Sequence, residues 1–193
     1  MSTWIDDGLG EGARLHEWLR EAEARDHFVE RVSGRLAACF AQSGRVLACG
    51  NGGSMCDAMH FAEELSGRFR RERRALPALA LSDPAYLTCV ANDWEFARVF
   101  ARGVEAWGRA GDVLVVFSTS GNSANIVAAA RAARAQHLAV VGLLGAEGGA
   151  ARALCDDAIV VPSSDSGRVQ EIHIKIVHLL IEGIERVLVP GQY

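Results

Sequence analysis

From Ala13 to Gln42 the apolar positions Leu15, Trp18, Leu19, Ala22, Phe28, Val29, Val32, Leu36, Ala37 and Phe40 recur three and four apart. That is the spacing of one helix face, and it predicts one or two amphipathic helices with a break near Asp26. Ahead of them, Gly8–Gly12 reads as a flexible lead-in. After Gln42 the rhythm changes. Arg45–Gly50 is a short apolar run closed by glycine, and similar runs recur at Leu76–Leu81, Asp112–Ser118, Leu138–Gly145 and Asp157–Pro162. Such runs suit strands buried on both faces. Helical patterns stand between them: Ser54–Phe69, Pro84–Ala91, Trp94–Trp107, Ala124–Gln136, a short piece near Ala150–Leu154, and Val169–Val189.

Strands alternating with helices indicate βαβ units. The expected fold is α/β: a three-layer, doubly wound sandwich around a five-stranded parallel sheet, preceded by a long helical segment. One domain spans residues 1–193, and ligands of such folds bind beyond the carboxyl ends of the strands. Residues 1–42 and the apolar last helix have too few layers to bury them in a monomer, so they are expected to pack between subunits.

Composition narrows the class. The 193 residues carry a net charge of −4 and are half hydrophobic. An acidic balance argues against a nonspecific nucleic-acid or anionic-membrane partner, whose footprint is basic. No apolar run reaches the roughly 18 residues of a spanning helix. The first residues carry acids where a signal peptide carries bases, so a cytoplasmic protein is expected. The five cysteines (Cys39, Cys49, Cys56, Cys89, Cys155) are scattered and include no CxxC. They read as free thiols, mostly buried, and a thiolate zinc site is not expected.

Two strand-to-helix junctions carry candidate chemistry. Ser118–Asn125 (STSGNSAN) offers hydroxyls and amides at the start of a helix, where unpaired N–H groups and a partial positive charge attract an anion. Gly121 lets the backbone bend there. The stretch is neither a Walker A loop nor GxGxxG, which favours phosphate on a small molecule over a nucleotide. The plain alternative is an N-cap by Asn122 or Ser123. Gly50–Ser54 (GNGGS) follows the same logic, with Asn51, Gly52 and Gly53 for a tight turn and Ser54 as cap.

Further along, His60 and Glu64 are four apart on one helix, and Gln170 and His178 eight apart on the last, so each pair shares a helix face. Together they form a mixed nitrogen and oxygen set that suits a divalent cation. Either pair alone reads more simply as a surface contact or a core histidine.

Ser118–Ser123 resembles the signature loop of sugar isomerase (SIS) domains. Gly50–Leu65 (GNGGSMCDAMHFAEEL) is similar to the first motif of the phosphoheptose isomerases, a single-domain branch of that group. Ala91–Asp93, Gly111–Leu114 and Arg168–His173 running on to His178 match as well, so the resemblance covers most of the chain to about Leu188. It implies conversion of sedoheptulose 7-phosphate to D-glycero-D-manno-heptose 7-phosphate through an enediol, feeding ADP-heptose and the lipopolysaccharide core. It implies Glu64 as base, with His178 as acid–base partner. Substrate would contact Asn51, Gly52, Gly53, Glu64, Asn92, Asp93, Ser118, Thr119, Ser120, Ser123 and Gln170. One zinc per subunit would sit on His60, Glu64, Gln170 and His178, in a homotetramer. Asp165, Arg68 and His173 receive no firm role: Arg68 reads as one of a solvated arginine face, and His173 as a support or interface residue. Two rivals share the fold. One is a non-enzymatic adaptor that binds the replication initiator. The other is a different phosphosugar isomerase, such as that for arabinose 5-phosphate.

Overall fold

The computed structural model describes residues 3–193. Helices α1 (Thr3–Asp26) and α2 (Phe28–Ala41) lead into β1 (Val46–Gly50), α3 (Gly53–Ser66), β2 (Ala78–Ala80) and α4 (Pro84–Asp93). A 3-10 turn at Phe96–Arg98 joins α5 (Val99–Trp107). Then come β3 (Val113–Ser118), α6 (Ala124–Ala135), β4 (Ala139–Gly145), α7 (Gly149–Arg152), β5 (Asp157–Val161) and α8 (Ser166–Leu188). The five strands are all parallel, in the order β2-β1-β3-β4-β5.

Strand residues alternate between two cores, which is why their runs are continuously apolar. Val46, Ala48, Val113, Val115, Phe117, Val141 and Leu143 face α2, α3 and α8. Leu47, Cys49, Leu114, Val116, Val140 and Leu144 face α5 and α6. Burying this much side chain, at about 25 cal/mol per Å², is the main force holding the layers. No helix among the described residues is long and apolar enough to cross a membrane.

Several expectations need correction. Gly8–Gly12 is not a lead-in but part of α1. A Cβ on Gly8 would stand 3.0 Å from the Arg168 guanidinium and one on Gly12 3.7 Å from Glu171 Oε2, so the small residues let α1 lie close along the start of α8. The helix break falls where expected, at His27, whose φ of 48° ends α1 and starts α2. The strand expected over Leu76–Leu81 shortens to Ala78–Ala80, the three residues in register with Val46–Ala48 of β1. The thiols are free, but only Cys39 and Cys49 are buried, while Cys56 and Cys89 are exposed.

The run Phe69–Arg74 is not simply a solvated face. Its residues other than Phe69 and Arg73 are exposed, as is Arg68 beside it with a 3.8 Å contact to Glu72, but several of them are tied down. Arg70 bonds Glu182 of α8 at 2.6 Å, Arg73 is buried, and Arg74 donates to the Phe40 carbonyl at the end of α2. Eleven residues without regular structure are thus bolted to three helices.

Candidate active site

β1 and β3 are neighbours at the switch point of the sheet, where the chain leaves one side of β1 for the other. Their carboxyl ends open into a crevice there. The loops that leave them are joined side by side, since Asn51 and Asn125 exchange amide hydrogen bonds of 2.9 and 2.8 Å. In the second loop the Gly121 N–H donates to the Ser118 hydroxyl at 3.0 Å, and Gly121 takes a φ of 65°. A Cβ at that position would stand 1.9 Å from the Gly148 carbonyl oxygen, so only glycine fits.

The two loops enclose a polar cavity of about 190 Å³ lined by Asn51, Ser54, Phe117, Ser118, Thr119, Ser123, Ser166 and Gln170. Helices α3, α6 and α8 all start at it. Three helix N-termini and a ring of hydroxyls make a seat for an anion with no cationic side chain in the wall. The caps differ from expectation. Gly52, not Ser54, is the N-cap of α3, and the hydroxyl of Ser123, the N-cap of α6, makes no capping bond. That hydroxyl is left to face the cavity. Ser120 is outside the lining, where its hydroxyl accepts from the Asn122 N–H at 3.2 Å.

The second cluster lies along α3 and α8. Glu64 Oε1 is 3.1 Å from His60 Nε2 and 3.9 Å from His178 Nε2, and the two imidazole nitrogens are 3.3 Å apart. These ligand atoms all lie within 4.8 Å of one another. The Phe69 ring stacks on His178, with centroids 5.9 Å apart and planes 9° from parallel. Glu64 Oε2 is buried without a hydrogen-bond partner. Two imidazoles and a carboxylate with a spare oxygen fit a divalent cation.

Gln170 stands apart from this trio. A Cβ on Gly53 would meet its Oε1 at 2.5 Å, so its amide covers the start of α3. His60 lies seven residues further along α3, about 10 Å by helical rise. Asn92 and Asp93 end α4, exposed and bonded to each other at 2.8 Å, outside both clusters. Asp165 caps α8 by accepting from the Gly167 and Arg168 N–H groups at 2.8 and 3.2 Å. That bond pins the start of α8 in spite of Gly167.

His173 belongs to the core and not to a surface between subunits. It is fully buried, and its Nε2–H donates to the Leu144 carbonyl at 3.1 Å. Burial pushes its pKa down to about 4, the backbone bond opposing.

Three residues escaped the sequence reading. Phe69 carries no motif, and Ser166 was hidden in a segment read as variable, although a hydroxyl opening the last helix was its signal. Asp57, one turn before His60, is 8% exposed with an unpartnered Oδ2. Burial raises its pKa to about 6, against the pull of His60. A larger cavity of about 540 Å³ beside β5 is lined by Arg25, Asp26, Arg31 and Arg152. Arg25 is paired with Asp26 and Arg31 with Asp157, so volume alone does not make it a site.

A loop-built anion seat beside a His–Glu–His cluster at one switch point agrees with what the comparisons with known proteins show. Residues 12–145 match the SIS domain. A phosphoheptose isomerase of Fusobacterium nucleatum is 51% identical, over 93% of this chain and 92% of that one. The chain belongs to the phosphoheptose isomerase family. Among solved structures, the family's enzyme from Neisseria gonorrhoeae superposes with a TM-score of 0.87 at 36% identity, covering 95% of this chain and 97% of that one. The enzyme from Francisella tularensis gives 0.89 at 34%, covering 96% and 100%. Membership in this isomerase family favours the enzyme reading over the adaptor.

Proposed function

We propose that this protein interconverts sedoheptulose 7-phosphate and D-glycero-D-manno-heptose 7-phosphate, the entry step to ADP-heptose. The observation that carries the substrate size is the spacing of the two clusters. The anion seat at Gly53 and the His60–Glu64 pair are about 10 Å apart along α3. From C1 to phosphorus, an open seven-carbon sugar phosphate spans eight bonds, about 9–10 Å at roughly 1.2 Å per bond. A five-carbon analogue is two bonds shorter and cannot reach both. The phosphate is held by Ser118, Thr119, Ser123 and the helix ends, with Ser120 shaping the loop. Asn51, Gly52, Gly53 and Gln170 line the path of the sugar, and Asn92 and Asp93 approach its hydroxyls from the end of α4.

At the far end Glu64 takes a proton from C1 while the ketone oxygen at C2 gains one, giving the 1,2-enediol. The proton then returns to C2 as the C1 hydroxyl gives up its own, which leaves an aldehyde at C1. His178 serves the two oxygens, and Phe69 fixes the plane of its ring. Oε1 of Glu64 faces the histidines, whereas the buried Oε2 has no partner, so the two oxygens of one carboxylate can divide the ligand and base roles once Oε2 is turned to the substrate. His60, Glu64 and His178 would hold zinc, with Gln170 joining once its amide swings off Gly53. A cation held there would supply positive charge against the charge that develops on the enediol oxygens.

We assign residues 1–42 and α8 to contacts within a homotetramer, supported by the exposure of Trp4 and Leu9 on α1 and of Val187 on α8. Light scattering tests that assembly, which a monomeric mass would exclude. Incubation with sedoheptulose 7-phosphate in D₂O, followed by NMR, tests the reaction. The expected product is the aldoheptose phosphate carrying deuterium at C2, with little turnover of five-carbon ketose phosphates. No product, or equal use of pentulose phosphates, overturns the reading.

A further inference from the structure

The segment between α3 and β2 hides a buried charge that the reaction scheme does not use. The side chain of Arg73 is 2% exposed and that of its partner Glu185 is 0%. Its Nε donates to Glu185 Oε1 at 3.0 Å. Its Nη1 donates to the carbonyls of Leu65 and Arg74 at 2.8 and 3.2 Å, and its Nη2 to the carbonyl of Glu64 at 2.7 Å. Leu65 and Glu64 lie in the last turn of α3, whose carbonyls have no partner within the helix. The other carboxylate oxygen of Glu185 accepts from the Tyr193 hydroxyl at 2.8 Å. The Tyr193 ring is held in turn between Arg71 and Arg186, at 4.8 and 4.5 Å from their guanidinium carbons.

Position gives this network its meaning. Glu185 is seven residues after His178 and therefore lies on the same stripe of α8. Arg73 grips the peptide of Glu64 itself. The segment that carries Arg73 also presses Phe69 on the His178 imidazole, with the Arg70 guanidinium over the same Phe69 ring, 5.0 Å from its centroid. A buried ion pair is a poor source of stability, because desolvation offsets most of its attraction and apolar residues of the same volume do as well. What a fork of five fixed donors supplies is geometry.

We propose that the Arg73–Glu185 pair, closed by Tyr193, is a positioning device for the isomerisation: it sets the end of α3 that carries Glu64 against the stripe of α8 that carries His178. The inference rests on the acid–base roles given above to those two residues. The phosphate seat lies at the N-terminal ends of α3 and α8 and the clamp at their C-terminal ends, so a fault in the clamp changes the chemical step and leaves substrate binding nearly intact.

The test uses Arg73→Lys, which keeps the charge and loses the fork, and Tyr193→Phe, which keeps both charges and removes one bond. Each is assayed for kcat, for KM and for Co²⁺ binding by the visible spectrum of the metal, with circular dichroism giving the folded fraction. A misplacement of about 1 Å costs on the order of a hundredfold in rate, so Arg73→Lys is expected to lose about that in kcat, with KM within about twofold and an altered Co²⁺ spectrum. Tyr193→Phe is expected to lose several-fold in kcat with the same split, and it decides the matter if Arg73→Lys does not fold. Unchanged kcat and Co²⁺ spectrum per folded molecule, or KM rising in step with the loss of kcat, overturns the proposal. Failure of the acid–base roles would show separately, as full activity in Glu64→Gln, while the Co²⁺ spectrum still reports on the clamp.

Discussion

At the loop end of the cleft the turns are closed by short-range bonds, Ser118 with Gly121 and Ser120 with Asn122, and one amide pair, Asn51 with Asn125, joins the two turns across 74 residues. At the helix end only the His60–Glu64 contact, one turn apart on α3, is local. His60 meets His178 across 118 residues, and the aromatic that orients His178 comes from a segment with no regular structure. The first end is set by turn chemistry and helix starts, so it tolerates change elsewhere in the molecule. The second exists only when α3, α8 and the arginine segment are all packed. Binding and chemistry are therefore assigned to parts of the molecule with different mechanical origins, and each should fail independently of the other.

The largest separation should come from Glu64→Gln and His178→Ala. Each is expected to lower kcat by about 10²–10⁴, with KM little changed and the circular dichroism spectrum intact. A parallel rise in KM would show that the two ends are not separable. Next is Gly121→Ala, which puts a Cβ 1.9 Å from the Gly148 oxygen at a φ of 65°. It should cost about 3 kcal/mol or more in urea unfolding and disorder the seat before it touches the triad. Chelation should abolish turnover while inorganic phosphate still protects the loop end from thermal unfolding, and zinc should restore activity.

Two smaller effects probe the helix end by pH. His173 has its pKa lowered from 6.5 to about 4 by burial, so its contribution is complete above pH 6.5 and is lost as pH falls toward 4, by about 3 kcal/mol. Asp57 is shifted the other way, from 3.8 to about 6. Its contribution is complete below pH 3.8 and is lost as pH rises through 6, by about 1–2 kcal/mol after allowance for solvent screening. The two oppose each other between pH 4 and 6. Asp57→Asn should therefore be more stable than its parent at neutral pH and show a steeper rise across that window. Equal slopes would count against it. Last, Ser123→Ala should raise KM about tenfold and spare kcat, the cost of one hydrogen bond to a charged group.

How far the sequence could be read follows the same division. All five strands and the loop Ser118–Asn125 at its strand-to-helix junction were legible, because apolar runs and a glycine between hydroxyls are local signals. His60, Glu64 and His178 were legible only as stripes on two helices, and a stripe does not say what it faces. Gly8 and Gly12 misled because a glycine that serves close helix packing looks like one that serves flexibility. Arg73 was lost among like charges, and Phe69 had no pattern at all. Both act through partners about a hundred residues away, and no window along the chain contains that information.

The pairing of α2 with α8 has a consequence for how the protein is made. The Ser33 hydroxyl donates to the Leu180 carbonyl 147 residues later, and the two helices, with α3, cover one face of the sheet. During synthesis α5 and α6 are finished early and can close over their own face. The opposite face, with Val115, Phe117, Val141 and Leu143, has only α2 and α3 to cover it until α8 emerges. That face of the nascent chain is therefore incompletely covered until synthesis is nearly finished, open to chaperones and to aggregation, and the His60–Glu64–His178 cluster is complete only once α8 has packed.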